Sequence, residues 1–345
     1  MSRSPSGIAQ YTFDATHRLL YLSFHSSFLV RLIARTANRV IGPIAKRFGM
    51  NHTVSARLYG RSLAVPAEHP LAGILVEFPQ YNRPLGLAVQ AIASLSSSGS
   101  ALAIIDVGAN VGETIALIEK YCPDLCTYLC LEADQEIARL CALNYAGNSR
   151  VHVEHCYIGE DEGVAVMLKD DGRANPSVKL IADDSGKCGP SSGRLVRLDT
   201  VAGPFAEAQG TISLIKIDTE GYDFSVLRST PRLIDKYKPA IYFEWYPKLM
   251  LDLGEEVWSG FEYLATFGYR HFIFFTGLGN YYCQVVDPDR LFLRSLSSIV
   301  LNDEKIEYFD VFASTQKAVC DQLVESSIAI LGDRKNGKHR RRYMI

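Results

Sequence analysis

The chain has 345 residues, of which 48% are hydrophobic and 21% charged, and its formal net charge is −2. This composition excludes a low-complexity disordered chain and indicates a globular protein with one large or two smaller domains. Because the net charge is close to zero, we expect no nucleic-acid partner. We identify neither a secretory signal nor a run of about 20 uninterrupted apolar residues, and therefore expect a cytoplasmic protein without a spanning helix.

The eight cysteines are spread along the chain without a C-x-x-C pair. This spacing does not predict a zinc site. We interpret the cysteines as buried thiols of a protein in a reducing compartment, so no metal bound by cysteine is expected.

Residues 1–100 form a predicted N-terminal extension of helices and a β-hairpin. The apolar spacing within 15–48 favours one or two helices, and the pattern of 54–67 around Gly60 predicts a hairpin. The small polar residues of 96–100 are typical of a boundary between domains.

Basic side chains mark both ends of the chain. Arg31, Arg35 and Arg39 are spaced to share one helix face, and 321–345, a helix end followed by a tail, contains the run KHRRR. One interpretation is peripheral contact with the anionic inner face of a membrane, where a basic residue contributes about 1 kcal/mol. We favour the other interpretation, in which the helix packs on the main domain and its arginines face water.

Residues 101–320 form the predicted main domain, in which strands and helices alternate. Repeated βα units predict a doubly wound, mostly parallel Rossmann-like α/β sheet with helices on both faces. A polar excursion at 170–193 interrupts the pattern. The strands are predicted at 102–108, 127–134, 151–159, 164–168, 193–201, 212–221, 239–247, 269–276, 281–286 and 306–314. The helices are predicted at 113–121, 134–148, 222–230 and 255–268.

The first βα unit contains the motif IDVGANVG at 105–112. Gly108 allows a sharp turn after the strand, Gly112 allows the following helix to pack closely, and Asn110 tolerates a positive φ. The spacing differs from the G-x-G-x-x-G of dinucleotide-binding folds. In open α/β sheets a ligand binds at such strand ends, so this turn is the predicted cofactor site.

Two carboxylates indicate which cofactor binds there. Asp106 ends the first strand, where it would repel a pyrophosphate but suit a cation, and Glu132 ends the second strand, where it can accept hydrogen bonds from ribose hydroxyls. A nucleoside that carries positive charge, S-adenosylmethionine (AdoMet), fits both residues. An NAD-dependent oxidoreductase on a similar sheet is the alternative.

A group of charged residues follows two later strands. Strand alternation places Lys216 and Asp218 on one face, Glu220 follows in the turn, and Glu244 ends the next strand. If these strands are neighbours, the carboxylates meet beside the cofactor and one of them can take a proton from an acceptor hydroxyl. Binding of a divalent metal is a less favoured alternative, and so is a structural ion-pair network around Lys216. The adjacent Trp245 and its neighbour Tyr246 either stack on a sugar ring or pack the core.

The sequence resembles the FkbM-family methyltransferases over about 101–314. The resemblance is carried by six segments in the family's order: IDVGANVG, LEAD, YIGEDEG, VRLDT, LIKIDTEGYDFSVL and PAIYFEW. It implies a class I AdoMet-dependent fold and methyl transfer to a hydroxyl, often of a sugar or secondary metabolite. It also implies that Ile158 and Gly159 frame the adenine with backbone amide contacts. Ala133, directly after Glu132, is a further candidate cofactor-binding residue.

We therefore predict an AdoMet-dependent O-methyltransferase. Its partner is a small-molecule or glycan acceptor with a free hydroxyl, and the sequence does not identify this acceptor or the oligomeric state. A non-catalytic scaffold that keeps the nucleoside pocket is a second alternative.

Overall fold

The structure, a computed structural model, describes residues 53–66, 69–96, 101–167, 178–179, 192–302 and 306–336. The arginine-bearing helix predicted within 15–48, most of the excursion at 170–193 and the KHRRR run lie outside these residues. Two strands precede the main domain, β1 (Thr53–Leu58) and β2 (Arg61–Pro66). They pair antiparallel, which confirms the predicted hairpin.

An eight-stranded mixed sheet forms the centre of the protein. Its strands are β3 (Leu102–Val107), β4 (Cys126–Glu132), β5 (Val151–His155), β10 (Leu214–Ile217), β11 (Ala240–Trp245), β12 (His271–Thr276), β13 (Tyr281–Val286) and β14 (Phe309–Ser314). They lie in the order β13-β12-β14-β11-β10-β3-β4-β5. The five strands from β11 to β5 are parallel, and β14 runs antiparallel to both of its neighbours.

A smaller sheet lies beside the main one, in the order β6-β9-β7-β8. Its strands are β6 (Tyr157–Ile158), β7 (Gly163–Met167), β8 (Val178–Lys179) and β9 (Ser192–Val196). The strand predicted at 151–159 is therefore divided at Cys156, because the chain leaves β5 there and β6 pairs with β9 instead.

Helices cover both faces of the main sheet. In chain order they are α1 (Leu71–Glu77), α2 (Arg83–Leu95), α3 (Glu113–Tyr121), α4 (Gln135–Asn144), α5 (Leu198–Gln209), α6 (Asp223–Arg228), α7 (Pro231–Tyr237), α8 (Pro247–Asp252), α9 (Ser259–Thr266), α10 (Arg290–Asn302) and α11 (Lys317–Asn336). No described helix has both the length and the apolar character needed to cross a membrane. The doubly wound fold predicted from the alternating pattern is confirmed.

The central strands form because their residues are apolar on both faces. All six residues of β3 are buried, and so are all six of β11. A strand that is covered on both faces has a nearly continuous run of apolar residues. The helix α4 begins where the side chain of Asp134 accepts hydrogen bonds from the amides of Glu136 (2.9 Å) and Ile137 (3.1 Å).

The N-terminal extension shares one core with the main domain. Val54 of the hairpin and Leu85 of α2 are buried in the same cluster as Ile115 of α3 and Tyr128 of β4. The Asn144 side chain also ties β2 to the turn before α3. It accepts from the Ala64 amide (2.7 Å) and donates to the Val111 carbonyl (2.9 Å).

One predicted strand is wrong in its second half. Residues 193–201 were expected to be a single strand, but β9 ends at Val196 and the helix α5 begins at Leu198. The Asp199 carboxylate accepts hydrogen bonds from the amides of Arg232 and Leu233, both at 2.9 Å. It thereby satisfies the first turn of α7, a capping role that requires Asp199 to leave the strand.

The described cysteines agree with their predicted burial. Six of them are buried, Cys283 is half-buried, and the described cysteines form no disulfide. Cys188 lies outside the described residues.

Candidate functional site

The strand order reverses between β3 and β10, and the predicted glycine turn lies at that point. β3 pairs with β4 on one side and with β10 on the other, so the crevice above their carboxyl ends is the switch point of the sheet. The turn has the predicted backbone, with φ of 76° at Gly108, 48° at Asn110 and 85° at Gly112. These positive angles explain why two positions are glycine and the third is asparagine.

Close packing gives the glycines a second reason. A Cβ on Gly108 would lie 1.9 Å from the carbonyl oxygen of Asp218, so the turn and the end of β10 approach at backbone distance. A Cβ on Gly112 would lie 2.6 Å from the Tyr145 ring and 3.0 Å from Cys141 Sγ. Gly112 therefore permits close packing of the turn against Cys141 of α4 and the ring of Tyr145.

Glu132 lies at the end of β4 and contacts the glycine turn directly. Its Oε2 accepts from the Asn110 amide (2.8 Å) and its Oε1 from the Asp134 amide (2.9 Å). Burial raises the pKa of Glu132, and these two backbone hydrogen bonds oppose the shift. Each carboxylate oxygen has a second lone pair, so Glu132 can accept further hydrogen bonds from a ligand.

The remaining predicted cofactor residues lie beside Glu132. The Cys156 amide donates to the Glu132 carbonyl (3.1 Å), and His155 Nε2 lies 3.0 Å from the Ala133 carbonyl. Ile158 is half-buried on the following short strand. The Gly159 amide already donates to the Val196 carbonyl (3.1 Å), so it is not available for the backbone contact with adenine that the resemblance implies.

Asp106 has an internal partner that the sequence reasoning did not identify. Its side chain is fully buried, and its Oδ1 lies 3.1 Å from Lys216 Nζ. Lys216 also lies 3.4 Å from Asp218 Oδ2 and donates to the Gly108 carbonyl (3.0 Å). Burial alone would lower the pKa of Lys216, but the charges of Asp106, Asp218 and Glu113 raise it above its usual value. A permanently charged ammonium therefore lies under the turn, between the two aspartates.

The three predicted catalytic carboxylates do meet. β10 and β11 are adjacent and parallel, and Asp218, Glu220 and Glu244 each place a carboxylate oxygen within 4.8 Å of the others. We call these three residues the acidic cluster. Burial raises the pKa of Glu220 to about 8, with the charges of Asp218 and Asp223 adding to the shift. Burial also raises the pKa of Glu244 well above its usual range, together with the charges of Asp218 and Glu220.

Asp223 holds the cluster together from the start of α6. Its Oδ1 accepts from the Glu244 amide (3.1 Å) and its Oδ2 from the Thr219 hydroxyl (3.1 Å). Burial and the charge of Asp218 raise the pKa of Asp223 to about 7. Asp223 follows Glu220 closely in the sequence, and this short spacing is a signal that could have identified Asp223.

Two further residues reach the site without having been predicted. Glu113 begins α3, its Oε2 is buried without a hydrogen-bond partner among the described residues, and burial raises its pKa to about 8. His69 of the extension lies with its Nε2 3.3 Å from Asn110 Oδ1. The position of Glu113 directly after the glycine motif was a usable signal, whereas no local pattern places His69 over the turn.

Aromatic side chains border the acidic cluster. Trp245 is fully buried and its Nε1 donates to the Val257 carbonyl (2.8 Å), so it packs the core. Tyr246 lies with its ring 5.6 Å from that of Tyr308, whose hydroxyl is 3.4 Å from the hydroxyl of Tyr81. Of the two open interpretations, core packing holds for Trp245. Tyr81 brings a side chain of the extension to the same border.

The sheet order and the site at its switch point define a Rossmann-like methyltransferase fold. Residues 106–270 match the family model described as the methyltransferase FkbM domain. This match confirms the resemblance to the FkbM methyltransferases that the motifs predicted. No curated protein matches the chain.

Several solved structures resemble the protein at low identity. The methyltransferase FkbM from Methylobacillus flagellatus KT is 15% identical with a TM-score of 0.38, over 70% of this chain and 53% of that one. The precorrin-6y C5,15-methyltransferase from Geobacter metallireducens GS-15 is 11% identical with a TM-score of 0.33, over 67% and 87%. The plantazolicin methyltransferase BpumL in complex with SAH is 12% identical with a TM-score of 0.33, over 90% and 100%. The chain spans about half the length of the first of these proteins.

Proposed function

We propose that the protein transfers a methyl group from AdoMet to a hydroxyl of a sugar, glycan or secondary metabolite. The observation that carries the proposal is the contact between Glu132 and the amide of Asn110 at the switch point. This contact joins the end of β4 to the glycine turn. The Glu132 carboxylate therefore lies at the carboxyl ends of the parallel strands. A carboxylate in this position suits the two ribose hydroxyls of a nucleoside.

The turn itself supports the rest of the cofactor. The turn from Gly108 to Gly112 lies at the carboxyl ends of β3, β4 and β10, where open α/β sheets bind their ligands. Ala133 and Ile158 lie beside Glu132 and supply the edge against which the adenine packs. Asp106 contributes through Lys216, which it holds under the turn, so we assign Asp106 a positioning role rather than a direct contact.

The acidic cluster supports the acceptor half of the site. Asp218 is half-exposed, with 43% of its side chain accessible, whereas Glu244 lies behind it and is buried. Methyl transfer depends mainly on holding the acceptor oxygen in line with the methyl carbon and sulfur. The cluster orients the hydroxyl and one of its carboxylates takes the proton as the oxygen–carbon bond forms.

Transfer of label from methyl-labelled AdoMet to fractionated glycan and metabolite pools tests this function. We expect label on an oxygen of one fraction with the wild type, and at least about tenfold less with Asp218→Asn, which removes the charge that orients the hydroxyl. Asp235→Asn is the matched control, because Asp235 is 73% exposed and pairs only locally with Lys238. A wild type that binds S-adenosylhomocysteine but labels no fraction would favour the scaffold. Label on nitrogen or carbon would contradict O-methylation.

A further inference from the structure

The acidic cluster brings three carboxyl groups together beside a single cation, Lys216. Asp218 and Glu220 follow β10, and Glu244 ends the adjacent β11. Their carboxylate oxygens lie within 4.8 Å of one another. Three carboxylates at this separation repel each other strongly unless a positive charge lies between them.

The nearby ammonium balances only part of the cluster. Lys216 has three N–H groups, and it makes three contacts: with the Gly108 carbonyl at 3.0 Å, Asp106 at 3.1 Å and Asp218 at 3.4 Å. It therefore reaches only one member of the cluster. Among the described ion pairs, none involves Glu244.

A second observation points to a ligand at the cluster. The residue Glu244 is 7% exposed, and its Oε2 is buried without a hydrogen-bond partner among the described residues. Asp310 faces Glu244 in the register of β11 and β14 and is also 7% exposed. A buried carboxyl oxygen without a hydrogen-bond partner is costly, because no contact offsets its loss of water. The unpartnered Glu244 oxygen therefore points to a ligand that supplies positive charge at the cluster.

We propose that Asp218, Glu220 and Glu244 bind a divalent cation of the oxygen-preferring kind, such as Mg²⁺, Mn²⁺ or Ca²⁺. Two oxygens on opposite sides of such an ion lie about 4.2 Å apart for Mg²⁺ and about 5 Å apart for Ca²⁺, as twice the metal–oxygen distance. The cluster oxygens lie within 4.8 Å of one another, which is below this ceiling for Ca²⁺, and they would have to approach by a few tenths of an ångström to hold Mg²⁺. Carboxylates are the ligands that these ions prefer.

The inference rests on the proposed function and deepens it, because the cation selects the acceptor. Three carboxylates that each supply one oxygen leave about three of six positions for water or substrate. An acceptor with hydroxyls on adjacent carbons, such as a sugar diol, can fill two of them. A bound hydroxyl loses its proton more readily. Its oxygen then bonds the methyl carbon, the carbon–sulfur bond breaks with its electron pair on sulfur, and the proton passes to an uncoordinated cluster oxygen and then to solvent.

Titration of the metal-free protein with Mn²⁺ alone, followed by calorimetry and electron paramagnetic resonance, tests the site. We expect one Mn²⁺ per chain with the wild type. We expect Glu244→Gln to bind Mn²⁺ at least about tenfold more weakly. Loss of a residue that only supports a metal ligand already lowers metal affinity by about that factor, and Glu244 is itself a proposed ligand. The control is Glu136→Gln, which removes a carboxylate that is 75% exposed, and it should bind as the wild type does.

Binding of S-adenosylhomocysteine by the same samples separates the two proposals. Wild type that binds the nucleoside but no Mn²⁺ at about 1 mM, a level at which even weak Ca²⁺ sites fill, overturns the metal site alone. Wild type that binds Mn²⁺ but not the nucleoside overturns the proposed function instead. Equal Mn²⁺ affinity in Glu244→Gln and wild type also overturns the metal site. If Glu244→Gln does not fold, Asp218→Asn replaces it with the same expected loss.

Discussion

Replacing Lys216 by methionine tests whether its ammonium is the internal partner of Asp106. The Lys216 side chain is 7% exposed and lies 3.1 Å from Asp106, whose side chain is fully buried. Lys216→Met keeps most of the apolar stem but leaves the Asp106 carboxylate in the interior without a counter-charge. Removing one partner of a buried pair costs about 3–5 kcal/mol, and we expect a loss of unfolding free energy of that size.

A second substitution shows where this loss arises. If the isolated charge of Asp106 causes it, adding Asp106→Asn to Lys216→Met removes that charge and recovers at least about 1 kcal/mol, as expected for coupled residues in contact. Lys317→Met is the matched control, because Lys317 pairs with Asp321 at 2.6 Å but is 67% exposed. Exposed pairs of this kind contribute about 0–1 kcal/mol.

Urea denaturation of the four proteins measures these free energies, and unchanged slopes would show that the transitions are comparable. The reasoning is refuted if Lys216→Met costs no more than Lys317→Met. It is also refuted if the double variant with Asp106→Asn is as unstable as Lys216→Met alone, because Asp106 would then have another source of stabilisation.

Three further predictions concern the turn and its neighbours. Gly108→Ala should lower the unfolding free energy by about 1–3 kcal/mol more than Gly147→Ala. Both positions have a positive φ, but of the two only Gly108 lies against a backbone carbonyl. Equal losses of unfolding free energy in urea denaturation would contradict this close approach. Glu132→Gln should weaken S-adenosylhomocysteine binding by about 10–100-fold in calorimetry, the value of a charged hydrogen bond, whereas Glu136→Gln should not; unchanged affinity would remove Glu132 from the ribose site. Because burial raises the pKa of Glu113 to about 8, the folded state retains its proton above the pH at which the unfolded chain releases it. Stability should therefore fall between about pH 4.5 and 8, by at most about 1.4 kcal/mol per pH unit for this group. Glu113→Gln should make the fall shallower in thermal melts at each pH, and an equally steep fall in the variant would contradict this assignment.

The glycine turn and the acidic cluster could be predicted because their signals are local. A continuous apolar run, Asp106 and the spacing of Gly108 and Gly112 define the first βα unit within a few residues. The alternation along β10 predicts that Lys216 and Asp218 lie on one face of the sheet. The 3.4 Å contact between their side chains agrees with this prediction. Only the adjacency of β11 had to be assumed, and the parallel pairing confirms it.

The partners of these residues depend on register and on distant segments, which a single sequence does not contain. Lys216 reaches Asp106 because the two residues are register partners in β10 and β3. Asp310 reaches Glu244 because β14 returns antiparallel beside β11. The contact of His69 with Asn110 brings in the extension, whose role no motif indicated.

Calorimetry of the wild type with S-adenosylhomocysteine and with NADH, in the same buffer, tests the central claim most directly. The FkbM domain match, together with a glycine turn whose spacing differs from the dinucleotide-binding motif, predicts that the homocysteine nucleoside binds at one site per chain and that NADH does not compete. Binding of NADH without binding of S-adenosylhomocysteine would contradict the account and assign the crevice to a dinucleotide.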